Sequence, residues 1–183
     1  MRLFFAIELP PEIQAALGRL KPTQENRDYR WSDPALLHVT LAFLGEQPAE
    51  RLDILQQVGA TVARGARPAA LRLGAPGSFG SQRAPRVLWF GLDGDLQAVA
   101  ELYQRLETEL RQAGLPVEDR PFRAHVTLAR RRESARGGPP LGWPPSRPPI
   151  HTAFAMDHLT LFQSRLSPRG PTYTPVQLFA LGG

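Results

Sequence analysis

The tetrapeptide His38-Val39-Thr40-Leu41 recurs in the chain as His125-Val126-Thr127-Leu128. The two copies begin 87 residues apart (38 to 125), close to half of the 183-residue length. For a chain with four histidines, average residue frequencies produce such a match in roughly one sequence of several hundred. The repetition therefore indicates an internal duplication.

Side chains alternate between the two faces of a β-strand, and this decides where the residues of each copy point. His38 and Thr40 share one face of their strand, and so do His125 and Thr127. The apolar residues between and after them take the opposite face, toward a core. If an approximate two-fold axis relates the two copies, both imidazoles and both hydroxyls face one groove.

Two imidazoles flanking one phosphorus atom suit the in-line displacement of a phosphate ester by water. One histidine takes a proton from the water while the other gives a proton to the leaving oxygen. The unperturbed pKa of histidine is about 6.5, so either residue suits either role near neutral pH. Threonine hydroxyls stabilise the non-bridging oxygens, where charge develops. The motif predicts acid–base catalysis by His38 and His125, with phosphate binding by Thr40 and Thr127.

Zinc binding is the other function that a histidine pair suggests. Two histidines need further carboxylate or thiolate ligands, and the chain has no cysteine. Asp33 precedes His38 by five residues and Asp119 precedes His125 by six, and neither is a close ligand spacing. We therefore predict no bound metal and no cofactor.

Hydrophobic periodicity predicts a similar order of elements in the two halves. In the first half we expect strands at 3–9, 37–44 and 70–73, helices at 12–20 and 48–64, and a loop at 74–86. In the second half we expect strands at 87–92, 124–129, 154–162 and 173–181, a helix at 96–113, and a loop at 130–149. The pattern favours an α+β protein whose two pseudo-symmetric lobes, each an antiparallel sheet with outer helices, flank a central groove. We predict one bilobal domain over residues 1–183, with approximate repeats 1–85 and 86–183.

Composition adds weaker constraints. The 22 basic and 17 acidic residues give a net charge of +5, and Lys21 is the only lysine. Arginine suits a polyanionic partner, although an arginine-rich proteome explains the bias equally well. No apolar run approaches the roughly 20 residues that span a bilayer, and the N-terminal run is too short for a signal peptide. We expect a cytoplasmic monomer with no membrane association and no obligate protein partner.

The motifs resemble the two-histidine (2H) phosphoesterase superfamily, whose signature is a pair of His-x-Thr/Ser-x motifs with apolar x. Segments 2–7, 37–45, 86–90 and 121–130 resemble the bacterial and archaeal RNA 2′,3′-cyclic 3′-phosphodiesterases, formerly called 2′-5′ RNA ligases. The similarity covers nearly the whole chain in order and ends with the segment at Tyr173. One departure is Ala124, where the family usually has proline.

This resemblance implies hydrolysis of 2′,3′-cyclic phosphate RNA ends to 2′-phosphates, together with a reversible 2′-5′ ligation of tRNA halves. The first histidine of the family is usually assigned as the acid and the second as the base. Carried over, His38 protonates O3′ and His125 activates water. Two alternatives stay open. One is a phosphodiesterase for a small cyclic nucleotide such as ADP-ribose cyclic phosphate, and the other is a non-catalytic RNA-binding module.

Further residues near the motifs are candidates for substrate contacts. The family counterpart of Arg130 is linked to phosphate binding, but strand alternation turns Arg130 away from His125 unless the strand ends or bulges there. Arg123 shares a face with His125 and is either a substrate contact or a solvated charge. The rings of Phe43 and Tyr173 either stack on a terminal base or pack in the core.

Other residues are weaker candidates. Trp31 and Phe79 have the same two alternatives, base stacking or core packing. His151 and His158 lack the tetrapeptide, and we predict structural roles for both. The cluster of Arg131, Arg132 and Arg136 either attracts an RNA backbone or is simply solvated.

Overall fold

The computed structural model describes residues 1–21, 28–115, 117–118, 120–168 and 170–182. Within these residues the chain forms a nine-stranded antiparallel sheet. Its strands are β1 (Arg2–Glu8), β2 (Tyr29–Trp31), β3 (His38–Glu46), β4 (Ala69–Gly80), β5 (Pro85–Gly94), β6 (His125–Arg131), β7 (Phe154–Met156), β8 (His158–Ser167) and β9 (Gly170–Ala180). The helices are α1 (Pro11–Gly18), α2 (Leu52–Gly65) and α3 (Leu96–Gln112). These elements confirm the α+β class.

The two tetrapeptides begin the central strands of the sheet. The strand order is β7-β4-β5-β6-β3-β1-β8-β9, and β2 pairs with β6 as an additional neighbour. One side of the sheet places β1, β8 and β9 beyond β3, and the other places β5, β4 and β7 beyond β6. The two predicted antiparallel sheets are thus the two sides of one continuous sheet.

The sides of the sheet do not coincide with the predicted repeats 1–85 and 86–183. The boundary at residue 85 falls within the hydrogen-bonded β4–β5 hairpin. The C-terminal β8–β9 hairpin returns to pair with β1, because β1 would otherwise present an unpaired edge. Strands from both ends of the chain therefore complete the side that carries His38.

The helices cover one face of the sheet. Leu55 of α2 and Leu102 of α3 are fully buried in the same core as Val39 and Val126 of the central strands. Burying a side chain of this size contributes roughly 1.5–3 kcal/mol to folding. The apolar positions of both tetrapeptides thus attach the central strands to the helices. None of the helices in the described ranges is long and apolar enough to cross a bilayer.

The apolar stripe of α3 is buried except at its first residue; its members are Leu96, Val99, Leu102, Leu106 and Leu110. Asp95 caps the helix, since its carboxylate accepts a hydrogen bond of 3.1 Å from the backbone N–H of Ala98. Leu96 follows directly in the first turn and is 44% exposed. The packed stripe therefore begins one turn later, at Val99.

Several local predictions are wrong. The expected loop 74–86 is strand up to Gly80, because a register shift between Leu73 and Pro76 accommodates the proline without breaking the pairing. The expected strand 154–162 is divided at Asp157 into β7 and β8. The expected loop 130–149 starts later, because β6 continues through Arg131, and β2 lies where the pattern predicts no strand.

Candidate active site

The two tetrapeptides meet where β3 lies beside β6. Val39 and Val126 are antiparallel register partners at this point, and both are fully buried. Extending the register by one residue in each direction places each histidine across from the threonine of the other motif. The motifs are therefore related by a local two-fold axis between the two valines. Their histidines and threonines lie on the sheet face opposite the helices, which we call the histidine face.

Both ring nitrogens of His38 are hydrogen-bonded. Nδ1 lies 2.7 Å from the carbonyl oxygen of Leu36, and Nε2 lies 2.9 Å from Oγ1 of Thr40. Because a carbonyl oxygen can only accept, Nδ1 carries a hydrogen and donates it. In the neutral ring, Nε2 is then unprotonated and accepts a hydrogen bond from the Thr40 hydroxyl. His38 and Thr40 share a face, as strand alternation predicts.

His125 is held in the matching way. Its Nδ1 lies 2.6 Å from the carbonyl oxygen of Arg123, the residue two positions earlier. Leu36 stands two positions before His38 in the same relation. The hydrogen on Nδ1 again leaves Nε2 with the lone pair in the neutral ring. Each imidazole is thus anchored through Nδ1 and keeps Nε2 for proton transfer.

A short 3-10 turn, Pro34–Leu36, presents the carbonyl that orients His38. Asp33 caps this turn, since its Oδ1 accepts a hydrogen bond of 3.0 Å from the N–H of Ala35. From α1, Nε2 of Gln14 donates to the carbonyl of Leu37 at 3.1 Å. The chain entering β3 is therefore fixed on both sides of the carbonyl that holds the ring.

No set of metal ligands forms at the motifs among the residues that the structure describes. Asp33 caps the turn before His38, and Asp119 lies outside the described residues. In the part of the chain that the structure describes, no three histidine, aspartate or glutamate side chains are placed to hold a metal ion. Nδ1 of His158 is hydrogen-bonded to Oδ1 of Asp157 at 2.7 Å. His151 is exposed and precedes β7.

Burial lowers the pKa of both candidate histidines. For His38 desolvation is the main cause, the hydrogen bond to Leu36 opposes it, and the charges of Arg130 and His125 lower the pKa further. For His125 desolvation again comes first, opposed by the hydrogen bond to Arg123, and Arg130 lowers the pKa as well. Arg130 and the two rings thus lie within electrostatic reach of one another. The lowered pKa favours the neutral form of both rings in the free protein.

Aromatic rings support His38 from the side of β1 and the C-terminal hairpin. The ring of Phe4 lies 5.0 Å from the His38 ring, and that of Phe162 lies 6.5 Å away. Tyr173 meets His38 edge-on at 5.3 Å, so this candidate contact of the sequence analysis does lie at the site. Burial raises the pKa of the Tyr173 hydroxyl. Periodicity does not single out Phe4 or Phe162, because β1 and β8 are buried on both faces.

A second group of rings supports His125. Phe79 meets the imidazole edge-on at 5.0 Å, and Trp89 lies 5.9 Å away. The guanidinium of Arg123 stacks over the Trp89 ring at 4.4 Å. Phe79 reaches this position because β4 extends beyond its predicted end. Trp89 is not predicted at this site from the sequence, because it and both of its neighbours in β5 are buried and periodicity gives no signal. Trp31, the other weak candidate, packs against the main core.

A β-bulge places Arg130 on the histidine face. In β6, Thr127 pairs with Trp89 and Arg130 pairs with Val87, which leaves Leu128 as an extra residue in the ladder. Trp89 and Val87 are two residues apart on β5 and share a face, so their partners Thr127 and Arg130 share it too. The simple alternation that turns Arg130 away from His125 is therefore broken.

The first motif has an equivalent bulge. In β3, Thr40 pairs with Ala6 and Phe43 pairs with Phe4, so Leu41 is the extra residue. Phe43 joins the histidine face, where the guanidinium of Arg2 stacks over its ring at 4.7 Å. Phe43 and Arg130 each follow their histidine by five positions. At equivalent positions after the two motifs, the histidine face thus carries the aromatic ring of Phe43 on the side of His38 and the guanidinium of Arg130 on the side of His125.

Comparison with known protein families places the chain in a superfamily. A protein-family model described as the 2′-5′ RNA ligase superfamily matches residues 9–167. The chain belongs to this superfamily. An RNA 2′,3′-cyclic phosphodiesterase of Thermus thermophilus is 37% identical over 199 residues, which cover 100% of this chain and 91% of the relative. The protein of the same name from Escherichia coli is 29% identical, with 98% and 96% coverage. These superfamily members are hydrolases by name, and the resemblance to 2H phosphoesterases is confirmed.

Solved structures of superfamily members share the fold over the whole chain. A crystal structure of a Thermus thermophilus protein has a TM-score of 0.81 at 32% identity and covers 100% of this chain and 99% of that one. Escherichia coli LigT complexed with 3′-AMP also has a TM-score of 0.81, at 28% identity with 100% and 98% coverage. The predicted architecture is therefore confirmed.

Proposed function

We propose that this protein hydrolyses 2′,3′-cyclic phosphate ends of RNA to 2′-phosphates, with His38 and His125 as its acid–base pair. The observation that carries the proposal is the register between the two valines of the motifs. It sets the two imidazoles on one face of the sheet, each anchored through Nδ1. In the neutral rings Nε2 carries the lone pair, and that of His38 accepts a hydrogen bond from the Thr40 hydroxyl. Two relatives named RNA 2′,3′-cyclic phosphodiesterase support the substrate class.

The proposed reaction is a single in-line displacement at phosphorus. The oxygen of a water molecule forms a bond to phosphorus while Nε2 of His125 takes a proton from that water. The bond between phosphorus and O3′ breaks on the opposite side, and protonated Nε2 of His38 gives its proton to O3′. The phosphoryl group stays on O2′. Substrate and products balance without a metal ion or a cofactor.

The different exposure of the two histidines supports this direction of proton transfer. The imidazole of His125 lies in a more open setting than that of His38, so it has readier access to solvent water. His38 is enclosed by aromatic rings and is suited to protonate an oxygen of the substrate. The lowered pKa of His38 favours the neutral ring in the free protein, and the bound anionic phosphate raises this pKa so that His38 takes up its proton.

The threonines and Arg130 stabilise the phosphate. In the free protein the Thr40 hydroxyl donates to His38. When His38 becomes protonated, Nε2 can no longer accept, and the hydroxyl turns to a non-bridging phosphate oxygen. Thr127 has the equivalent place beside His125 by the local two-fold axis. Arg130 offers two parallel donors to the same oxygens, and its charge offsets the charge that develops in the transition state.

The terminal nucleoside lies on the side of the first motif. Phe43 is 39% exposed on the histidine face and offers its ring to a base. Tyr173 closes the opposite wall next to His38, and Arg123 lies at the rim beside His125. We assign these three residues to substrate contact. The partner is RNA with a cyclic phosphate end, taken by a monomeric cytoplasmic enzyme that needs no protein partner.

The same site accounts for a ligation activity. If the 5′-hydroxyl of a second RNA, such as a tRNA half, replaces water as the nucleophile, the product is a 2′-5′ phosphodiester and O3′ is again the leaving group. Both histidines keep their roles, and the reverse reaction regenerates the cyclic phosphate. Ligation therefore requires no group beyond those of hydrolysis.

The test is hydrolysis of uridine 2′,3′-cyclic phosphate and of a cyclic-ended oligonucleotide in the presence of EDTA. His38→Ala and His125→Ala should each lower kcat by about 10²- to 10⁴-fold, the range for a general acid or base. His151→Ala is the matched control and should keep wild-type turnover. Binding of either substrate without turnover by the wild type would identify an RNA-binding module, and undiminished turnover in either active-site variant would remove the acid–base pair.

A further inference from the structure

An arginine that the acid–base mechanism does not use stands directly beside Arg130. Arg30 of β2 is the antiparallel register partner of Arg130 in β6. Directly opposed residues of paired strands project from the same face of the sheet. Because the bulge in β6 turns Arg130 to the histidine face, Arg30 lies on that face as well, next to Arg130. A Cβ on Gly170 would lie 3.4 Å from Nη2 of Arg30, so the guanidinium reaches the β8–β9 turn that carries Tyr173 toward the site.

Arg30 and Arg130 form a pair of cations whose repulsion the surrounding carboxylates do not relieve. Like charges directly opposite each other on paired strands destabilise a sheet. Within the described residues, no carboxylate forms an ion pair with either of them, whereas Arg67, Arg72, Arg111 and Arg120 are paired. Arg30 is exposed. The neighbouring Arg131 donates instead to the carbonyl oxygens of Ala135 and Gly137, so it is occupied in holding the following loop.

We infer that Arg30 binds the phosphate on O5′ of the terminal nucleoside, next to the reacting cyclic phosphate held by Arg130. The inference rests on the proposed function, since it takes Arg130 to contact the reacting group. One anion per guanidinium relieves the repulsion between the two arginines. The two sources of such a phosphate are the upstream phosphodiester of an RNA chain and the 5′-phosphate of a mononucleotide. Arg30 thereby favours substrates that carry a phosphate on O5′, whether an RNA chain or a mononucleotide, over a nucleoside cyclic phosphate that has no phosphate there.

The experiment compares four substrates in kcat/KM with wild type and Arg30→Gln. They are uridine 2′,3′-cyclic phosphate, its 5′-phosphorylated form, the dinucleotide UpU with a 2′,3′-cyclic phosphate end, and the same dinucleotide with a neutral methylphosphonate linkage. Arg30→Gln should lower kcat/KM by about 10- to 100-fold for the substrates with a charged phosphate on O5′, the range for a lost charge-assisted hydrogen bond. For the other two substrates the change should stay within about twofold, since no charged hydrogen bond is lost.

Two controls make the result specific. Arg64→Gln removes the same charge from an exposed position in the last turn of α2, so it measures the loss of general attraction to RNA. Arg30→Lys keeps the charge and should recover part of the loss. A loss confined to the 5′-phosphorylated mononucleotide would identify a small nucleotide as the source of the bound phosphate.

Equal losses on all four substrates, or no loss on any of them, would overturn the assignment of Arg30. Wild-type protein that fails to turn over any of the four substrates would instead overturn the proposed function. The two failures are therefore distinguishable in one set of measurements.

Discussion

Val39 and Val126 face each other across the strand pair that joins the two sides of the sheet. Both side chains are buried among the helices, so the pair is held from the side of the core. The residues on either side of each valine point the other way, to the histidine face. The spacing between the two imidazoles is therefore set by backbone hydrogen bonding and core packing.

The pH dependence of kcat/KM should be a bell displaced toward acid pH. One histidine must be neutral and the other protonated, so activity falls below the pKa of the base and above the pKa of the acid. Burial lowers the pKa of both His38 and His125 in the free protein. Both limbs of the pH profile of kcat/KM therefore shift to lower pH. We expect the maximum of kcat/KM below about pH 6.5, the value for unperturbed histidine. A maximum above about pH 7.5, a full unit beyond that value, or a flat profile would contradict the assignment.

Arg130→Gln should raise the pKa of both histidines. The Arg130 charge lowers each pKa, so its removal favours the protonated rings and shifts the bell to higher pH. NMR titration of the histidine ring protons in the free protein measures this shift independently of turnover. We also expect kcat/KM to fall by about 10- to 100-fold, because a charge-assisted contact with phosphate is lost. Arg64→Gln is the control, and unchanged histidine titrations in Arg130→Gln would show that Arg130 points elsewhere.

Thr40→Val and Thr127→Val should reduce kcat with little effect on protein stability. Valine keeps the shape of threonine and removes the hydroxyl, whose hydrogen bond to the phosphate strengthens in the transition state. Loss of one such donor costs about 10²- to 10³-fold in other enzymes, and we expect at least tenfold for each residue. Thr40→Ser and Thr127→Ser retain the hydroxyl and should restore most of the activity. Equal kinetics for the valine and serine variants would rule out this role.

Gly77→Ala should disturb the support of His125 from a distance. A Cβ on Gly77 would overlap the indole ring of Trp89, which lies 5.9 Å from the His125 ring. We expect overpacking to cost about 1–3 kcal/mol in unfolding free energy and displacement of Trp89 to lower kcat. Gly138→Ala is the matched control, since its nearest neighbour is the Arg83 carbonyl oxygen at 3.4 Å. Thermal unfolding and turnover are measured for both variants. If Gly77→Ala has the same unfolding temperature and the same kcat as Gly138→Ala, the prediction is wrong.

Local rules account for much of the structure. Strand alternation correctly places His38 with Thr40 on one face and the valines in the core, because adjacent residues of an extended chain cannot point the same way. The helical period correctly locates α2 and α3, since an apolar stripe must be buried against the sheet. The duplication of the tetrapeptide itself predicts that the two motifs belong to one site. None of these inferences requires knowledge of distant contacts.

Pairing between distant strands decided the rest. The bulges at Leu41 and Leu128 bring Phe43 and Arg130 to the histidine face, and a bulge is a mismatch between two strands that neither strand shows alone. The same holds for β4, whose proline is tolerated because β5 pairs around it. The C-terminal hairpin joins β1 rather than its sequence neighbours, and this carries Tyr173 to His38. Register is a property of partners, so these features appear only when the chain has folded.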